Sequence, residues 1–308
     1  MMRNSVTLVM ATLLNLHVAA HAQSDNNRIG CYLDSGYFNL VVESKTQTLY
    51  QLEQSADLKT WFPFYPFLGT GSTWTGALDP TMIQGSPSFY RFRAEDIPFE
   101  IESGFITMSD GARMYRMVGG SGPLLVFIHG GTQTSRDWLA QMVNFGTSNR
   151  VAIYDLRGFG RSSLTGWEDS PWNWSWSQTN RATLDLSELI DSITNGPVQI
   201  CGLSMGSAIA AQFAVMYSNR VSKLILASPW FGYTFPRDSQ LQSLNALSNR
   251  TLVLVGSEDT WGSQQEVQWA QGQGYGATVT TVEGADHTMN TSRNEAFNAL
   301  VHAFLEGN

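Results

Sequence analysis

With 308 residues, the chain is too long for one small module and fits a large domain plus a lesser one, or a single α/β domain with an extension. A formal net charge of -8 and a pI near 5.1 exclude nucleic acid as an expected partner, because phosphate binding needs clustered Lys and Arg that the sequence nowhere supplies. Only two cysteines occur, Cys31 and Cys201, in different expected domains, so disulfides are not the expected stabilising device.

The first residues read as a targeting segment. Arg3 gives a basic start, Val6 to Leu16 is mostly apolar, and Ala20-His21-Ala22 has the small-x-small pattern of a cleavage site. Residues 1–22 are therefore expected to be a signal peptide, with a mature chain beginning near Gln23. The apolar run is shorter than the roughly 20 residues of a spanning helix, and no other long apolar run follows. No integral membrane segment is expected after cleavage, and the expected location is secreted or periplasmic. Cys31 follows polar residues, which does not fit a lipoprotein anchor.

Residues 29–95 alternate apolar and polar positions in short runs, among them Phe38 to Val42, Thr48 to Leu52 and Phe89 to Phe92, separated by Gly, Pro, Ser and Asp. That pattern predicts a small antiparallel, sandwich-like β module. The run from Tyr50 to Trp61 and the closing Phe89-Tyr90-Arg91-Phe92-Arg93 resemble fibronectin-type-III-like repeats of exported bacterial proteins. The resemblance implies surface or polymer contact; the plainer reading is a spacer or a stabilising neighbour.

After an acidic, Pro-containing segment from Glu95 to Glu102 the grammar changes. Strands are predicted at Phe105 to Met108, Met114 to Val118, Leu124 to Ile128, Val151 to Tyr154, Val198 to Leu203, Lys223 to Ala227, Thr251 to Val255 and Ala277 to Val282. Helices are predicted near Gln178 to Ile193, Met205 to Tyr217, Gln264 to Gln271 and Asn294 to Leu305. Short apolar runs between helical stretches predict an α/β domain over residues 100–308, with an eight-stranded, mostly parallel sheet covered on both faces.

Gly202-Leu203-Ser204-Met205-Gly206 falls between a β-branched strand and an alanine-rich helix, the setting of a nucleophile elbow. Residues two before and two after Ser204 must lack bulk for strand and helix to approach, and both are Gly. A serine hydroxyl needs a base within reach, itself oriented by an acid. His17 and His21 lie in the leader, His129 ends a strand, His302 sits in the terminal helix, and His287 follows the last strand in Gly-Ala-Asp-His. His287 is thus the expected base. Asp259, after the strand Thr251 to Val255, is the expected acid, with Glu258 and Asp286 as rivals; ligands of open α/β sheets gather at the strands' carboxyl ends.

Together with Phe127-Ile128-His129-Gly130-Gly131, the stretch Asp155-Leu156-Arg157-Gly158-Phe159-Gly160-Arg161-Ser162 and the chain order Ser, Asp, His, the elbow makes residues 100–308 resemble the α/β-hydrolase superfamily. The resemblance implies a serine hydrolase acting on a small-molecule carboxylic ester, without a cofactor or metal. It also implies an oxyanion hole from the backbone N–H groups of Met205 and Gly131, with Thr132 as the fallback. The Asp155 to Ser162 stretch reads more readily as a structural loop than as part of the site rim.

Pro229 to Arg250 is too short for a separate cap domain. Trp230 in that stretch, and Trp172 and Trp174 in the Trp-rich loop after Ser162, are candidate substrate contacts. Two other readings stay open. One is a serine aminopeptidase of the proline iminopeptidase type, against which the missing cap speaks. The other is a non-catalytic surface-binding protein on the same fold. Ser at position 204 argues against epoxide hydrolases and dehalogenases, relatives that carry Asp there.

Overall fold

A computed structural model of the chain describes residues 4–9, 19–20, 29–34, 37–55, 59, 61–78, 89–163, 176–229, 243–272 and 274–307. The chain divides into two units, Met1–Glu100 and Ile101–Asn308.

The described strands of the first unit form two antiparallel sheets. One runs Ala19–Ala20, Asn4–Val9, Phe89–Asp96, Thr48–Ser55, Phe62–Leu68; the other runs Ile29–Asp34, Tyr37–Glu43, Thr73–Leu78. Leu40 and Val42 from the smaller sheet bury against Tyr50, Leu52, Phe67 and Phe92 of the larger. Trp74 stacks on Phe67 with ring centroids 4.3 Å apart, and Phe92 meets both rings edge-on. Phe62–Leu68 escapes sequence reading because Pro63 and Pro66 interrupt it. Proline cannot donate to a ladder, and this strand accordingly lies at the sheet edge, with a bulge opposite Leu52 and Glu53. Asn4–Val9, inside the expected leader, pairs with Phe89–Asp96, placing Val6 opposite Phe92.

The second unit is built on a sheet of eight strands: β1 Ile101–Thr107, β2 Arg113–Gly120, β3 Leu124–Ile128, β4 Arg150–Tyr154, β5 Val198–Leu203, β6 Val221–Ala227, β7 Thr251–Gly256 and β8 Thr278–Val282. Their spatial order is β8-β7-β6-β5-β3-β4-β2-β1. β2 runs antiparallel to both neighbours and the other pairings are parallel. Every residue of β3 and β7 is buried, as strands covered on both faces require. β1 at the edge mixes polar and apolar residues and is partly exposed. Its pairing extends back through Glu102, Ser103 and Gly104, because an edge strand needs no continuous apolar run; the expected start at Phe105 therefore moves to Ile101.

The helices are α1 Leu139–Phe145, α2 Trp176–Asp191, α3 Met205–Met216, α4 Ser263–Gly272, α5 Met289–Ser292 and α6 Asn294–Glu306. α1 and α5 are absent from the sequence expectation because such short elements show too little of the helical period. A turn at Ser135–Trp138 with reciprocal Thr134 and Asp137 capping leads into α1, whose Leu139, Met142, Val143 and Phe145 are buried. No helix among the described residues is long and apolar enough to cross a membrane.

The Asp155 to Ser162 loop is held by its own hydrogen bonds. Asp155 accepts the N–H groups of Ser135 and Arg161 on its two oxygens, both at 2.8 Å, and Ser162 Oγ donates to Asp155 O at 2.6 Å. Arg157, fully buried, forks onto Asp185 at 2.6 and 2.9 Å and reaches Asp110 at 3.0 Å. Burial works against the guanidinium charge, but the Asp185 and Asp110 carboxylates outweigh it and push its pKa up. Asp185→Ala would leave this buried cation short of its main partner. It is expected to destabilise the fold by about 3–5 kcal/mol, read as a lower urea midpoint at unchanged slope; a loss below about 1 kcal/mol, the range of exposed pairs, contradicts that assignment.

Candidate functional site

Ser204 joins β5 to α3 with φ 54° and ψ −119°, in the positive-φ region that L-residues rarely adopt. Such strain costs on the order of 1–3 kcal/mol and persists only where the surroundings impose it. Here they do. A side chain on Gly202 would meet Gly206 O at 2.1 Å, and one on Gly206 would meet Ile128 O at 2.3 Å. Ser204 N–H donates to Ala227 O at the end of β6 at 2.9 Å, and Ser204 O accepts Ser207 N–H at 2.9 Å. Small buried residues, Ser207, Ala208, Ala210 and Ala211, let α3 lie close to the sheet.

The turn after β3 lies against this elbow. A side chain on Gly130 would come within 3.3 Å of Ser204 Cβ, and one on Gly131 within 3.7 Å of Met205 Sδ. Gly130 N–H is taken by Gln133 Oε1 at 3.1 Å. The N–H groups of Gly131 and Met205 enter no hydrogen bond among the described residues; the latter is one of the unpaired donors at a helix start. His129 is wholly buried and pins the turn. It accepts Leu156 N–H at Nε2 (2.9 Å), so its Nδ1 carries the proton and donates to Gly130 O at 2.7 Å. Burial pushes its pKa down, against the pull of Gly130 O and the Asp155 and Asp137 charges. His129 is a neutral strut.

The loops after β7 and β8 are joined to each other. Glu258 N–H donates to Ala285 O at 2.9 Å, Ser257 N–H to Val282 O at 3.1 Å, and Gly284 N–H to Ser257 Oγ at 2.7 Å. This brings His287 Nδ1 to 2.9 and 3.1 Å from the two carboxylate oxygens of Asp259. Asp259 also accepts Trp261 N–H at 2.8 Å and the Ser263 hydroxyl. Burial disfavours its charge, but the Ser263, Trp261 and His287 bonds outweigh that and hold the carboxyl below its ordinary pKa. The rivals are placed elsewhere: Glu258 is exposed, and Asp286 Oδ1 accepts from Thr288 N–H, Thr288 Oγ and Ser292 Oγ.

Nδ1 faces a carboxylate and donates, so neutral His287 has its lone pair on Nε2. That atom is buried and has no hydrogen-bond partner among the described residues, Ser204 Oγ included. Both residues are nonetheless tied to consecutive positions at the end of β6. Ala227 O holds Ser204 N–H, and Ser228 Oγ donates to His287 O at 2.8 Å.

Trp172, Trp174 and Trp230, the expected substrate contacts, lie outside the described residues. An aromatic that sequence reading passed over stands at the site instead. Trp261 stacks on the His287 imidazole, centroids 5.1 Å apart and planes 17° from parallel, and is 66 % exposed. Its signal was available: a large apolar side chain two residues past Asp259, in an otherwise polar loop.

Residues 122–254 match the family model described as serine aminopeptidase, S33. The match includes Gly131, Ser204 and Met205 and stops before Asp259 and His287. A Bacillus subtilis protein named for 2-succinyl-6-hydroxy-2,4-cyclohexadiene-1-carboxylate synthase activity is 34 % identical over 40 % of this chain and 43 % of its own. Mouse protein phosphatase methylesterase 1 is 25 % identical over 67 % of this chain and 51 % of its own. The chain thus spans about half or less of the length of these relatives. Among solved structures, a carboxylesterase of Bacillus subtilis superposes with TM-score 0.56 at 17 % identity, covering 69 % of this chain and 94 % of that one. A CIB-like hydrolase of Thermoplasma acidophilum gives TM-score 0.56 at 20 % identity, covering 68 % and 100 %. The family match and the methylesterase likeness support a hydrolase, and the superpositions show the fold alone.

Proposed function

We propose, from a chain whose second unit has the α/β-hydrolase fold, that it is a serine hydrolase cleaving carboxylic esters through an acyl-enzyme. The observation that carries the reading is His287, fastened by Nδ1 to a charged Asp259 with Nε2 buried and, among the described residues, unpartnered at the end of the sheet that carries the Ser204 elbow. Nε2 takes the Ser204 Oγ proton as Oγ attacks the ester carbonyl carbon. Negative charge on the carbonyl oxygen meets the free N–H groups of Gly131 and Met205, of the kind whose individual removal costs about 10²- to 10³-fold in rate. The tetrahedral intermediate collapses, the imidazolium gives its proton to the departing alkoxide, and an alcohol leaves. Water then attacks the acyl-Ser204, losing a proton to Nε2; collapse frees the acid and returns the proton to Oγ. The Oγ–Nε2 bond this requires is not among the hydrogen bonds of the described residues; catalytic hydrogen bonds often tighten only with substrate in place.

The family match favours a second reading, a serine aminopeptidase. Comparing p-nitrophenyl acyl esters of several chain lengths with aminoacyl-arylamides separates the two. Esters are expected to be turned over with the higher kcat/KM; preference for the arylamides overturns the ester reading, and turnover of neither favours a non-catalytic binding protein.

Export of the chain and attachment through a fibronectin-type first unit are proposed on sequence pattern alone. Expressed with its own leader in a bacterial host, the exported protein is expected to begin near Gln23 by mass spectrometry. A chain retaining residues 1–22 contradicts this and leaves Asn4–Val9 as a permanent strand beside Phe89–Asp96.

A further inference from the structure

Taking Ser204, His287 and Asp259 in the roles proposed above, we infer that Trp261 walls the leaving-group side of the site and selects esters whose alcohol portion carries a flat apolar group, such as a benzyl ring. The loop from Asp259 to Ser263 is fastened at both ends to one carboxylate. Trp261 N–H donates to Asp259 Oδ1, and the Ser263 hydroxyl bonds to Oδ2. Gly262 between them has φ 94°, a conformation open to glycine, which lets the chain reverse into α4. Trp261 therefore sits on a turn that Asp259 itself holds.

Its ring lies nearly parallel to the imidazole at 5.1 Å, yet it is 66 % exposed, whereas Asp259 and Ser263 beside it are buried. Stacking on His287 leaves most of the indole in water. The chemistry says what comes to that surface. To leave as an alcohol, the ester's bridging oxygen must come within hydrogen-bond reach of His287 Nε2 to receive its proton, so the carbon it bears lies beside the imidazole. Among the described residues, the open apolar surface beside the imidazole is Trp261. A planar group on that carbon can stack on the indole, whereas a methyl group gains little.

The test uses methyl acetate and benzyl acetate, which share an acyl group and have alcohols of similar acidity, so the chemical step is alike. For Trp261→Ala the ratio of kcat/KM on benzyl over methyl acetate is expected to fall about tenfold, the low end of what small differences in apolar contact discriminate. Trp261→Phe, which keeps a flat ring, recovers most of it. Both variants are checked for a wild-type Tm, and Trp261→Leu replaces the alanine variant if it melts early. An unchanged ratio, whatever the absolute losses, overturns the inference and reduces Trp261 to a positioning residue for His287. Wild-type protein that a fluorophosphonate labels and that hydrolyses both acetates separates that outcome from failure of the ester reading. Wild-type protein that turns over neither overturns both.

Discussion

Ser204→Ala is expected to lower kcat on esters by about 10⁶-fold, the size of loss seen when the nucleophile of such a unit is removed. His287→Ala should do as much alone, and the double variant little more, because in the proposed mechanism nucleophile and base act as one device. Fold and stability should survive, since Ser204 Oγ makes no hydrogen bond among the described residues while its backbone carries the contacts to Ala227 and Ser207. Glycine at this position separates strain from chemistry. Alanine keeps a Cβ at φ 54°, whereas glycine relieves strain of about 1–3 kcal/mol and loses about 0.5–1 kcal/mol to unfolded-state freedom. Ser204→Gly should therefore melt above Ser204→Ala and be as inactive. Equal or reversed melting temperatures would mean the elbow is not strained.

Asp259→Asn is expected to lower kcat by about 10⁴-fold with little change in geometry. An amide can present its NH2 to His287 Nδ1, which then accepts, so the ring proton moves to Nε2 and the base loses its lone pair. The carboxylate's depressed pKa fixes the sign of a second effect. A group whose folded pKa lies below its unfolded value stabilises the fold above the unfolded value and loses that contribution as pH falls through the folded one. The contribution of the Asp259 carboxylate to the melting difference between wild type and Asp259→Asn should therefore be complete above the ordinary carboxyl value of 3.8 and shrink below it. A difference that grows as pH falls below that value would show that the carboxyl is not held charged by Ser263, Trp261 and His287.

Eight strands and the long helices of the second unit are legible because covered strands are nearly continuous apolar runs and long helices show their period. β3, β5 and β7 needed little else. What escaped was short, edge-lying or held by backbone. α1 has too few turns to show periodicity, β1 opens on Glu102, Ser103 and Gly104, and Phe62–Leu68 is disguised by two prolines that only an edge admits. At the site, Ser204, His287 and Asp259 could be picked out because each ends or follows a strand in a recognisable turn. Ser228 and Ser263 could not, because their contacts with His287 and Asp259 follow from how the β6, β7 and β8 loops close on one another.

The proposed catalysis rests on Ser204 Oγ being made nucleophilic by His287, and covalent trapping reads that directly. Wild-type protein treated with diisopropyl fluorophosphate, digested and mapped by mass spectrometry should carry one diisopropylphosphoryl adduct, on the peptide containing Ser204. His287→Ala should carry almost none over the same interval. No adduct, an adduct on another residue, or equal labelling with and without the imidazole would contradict it.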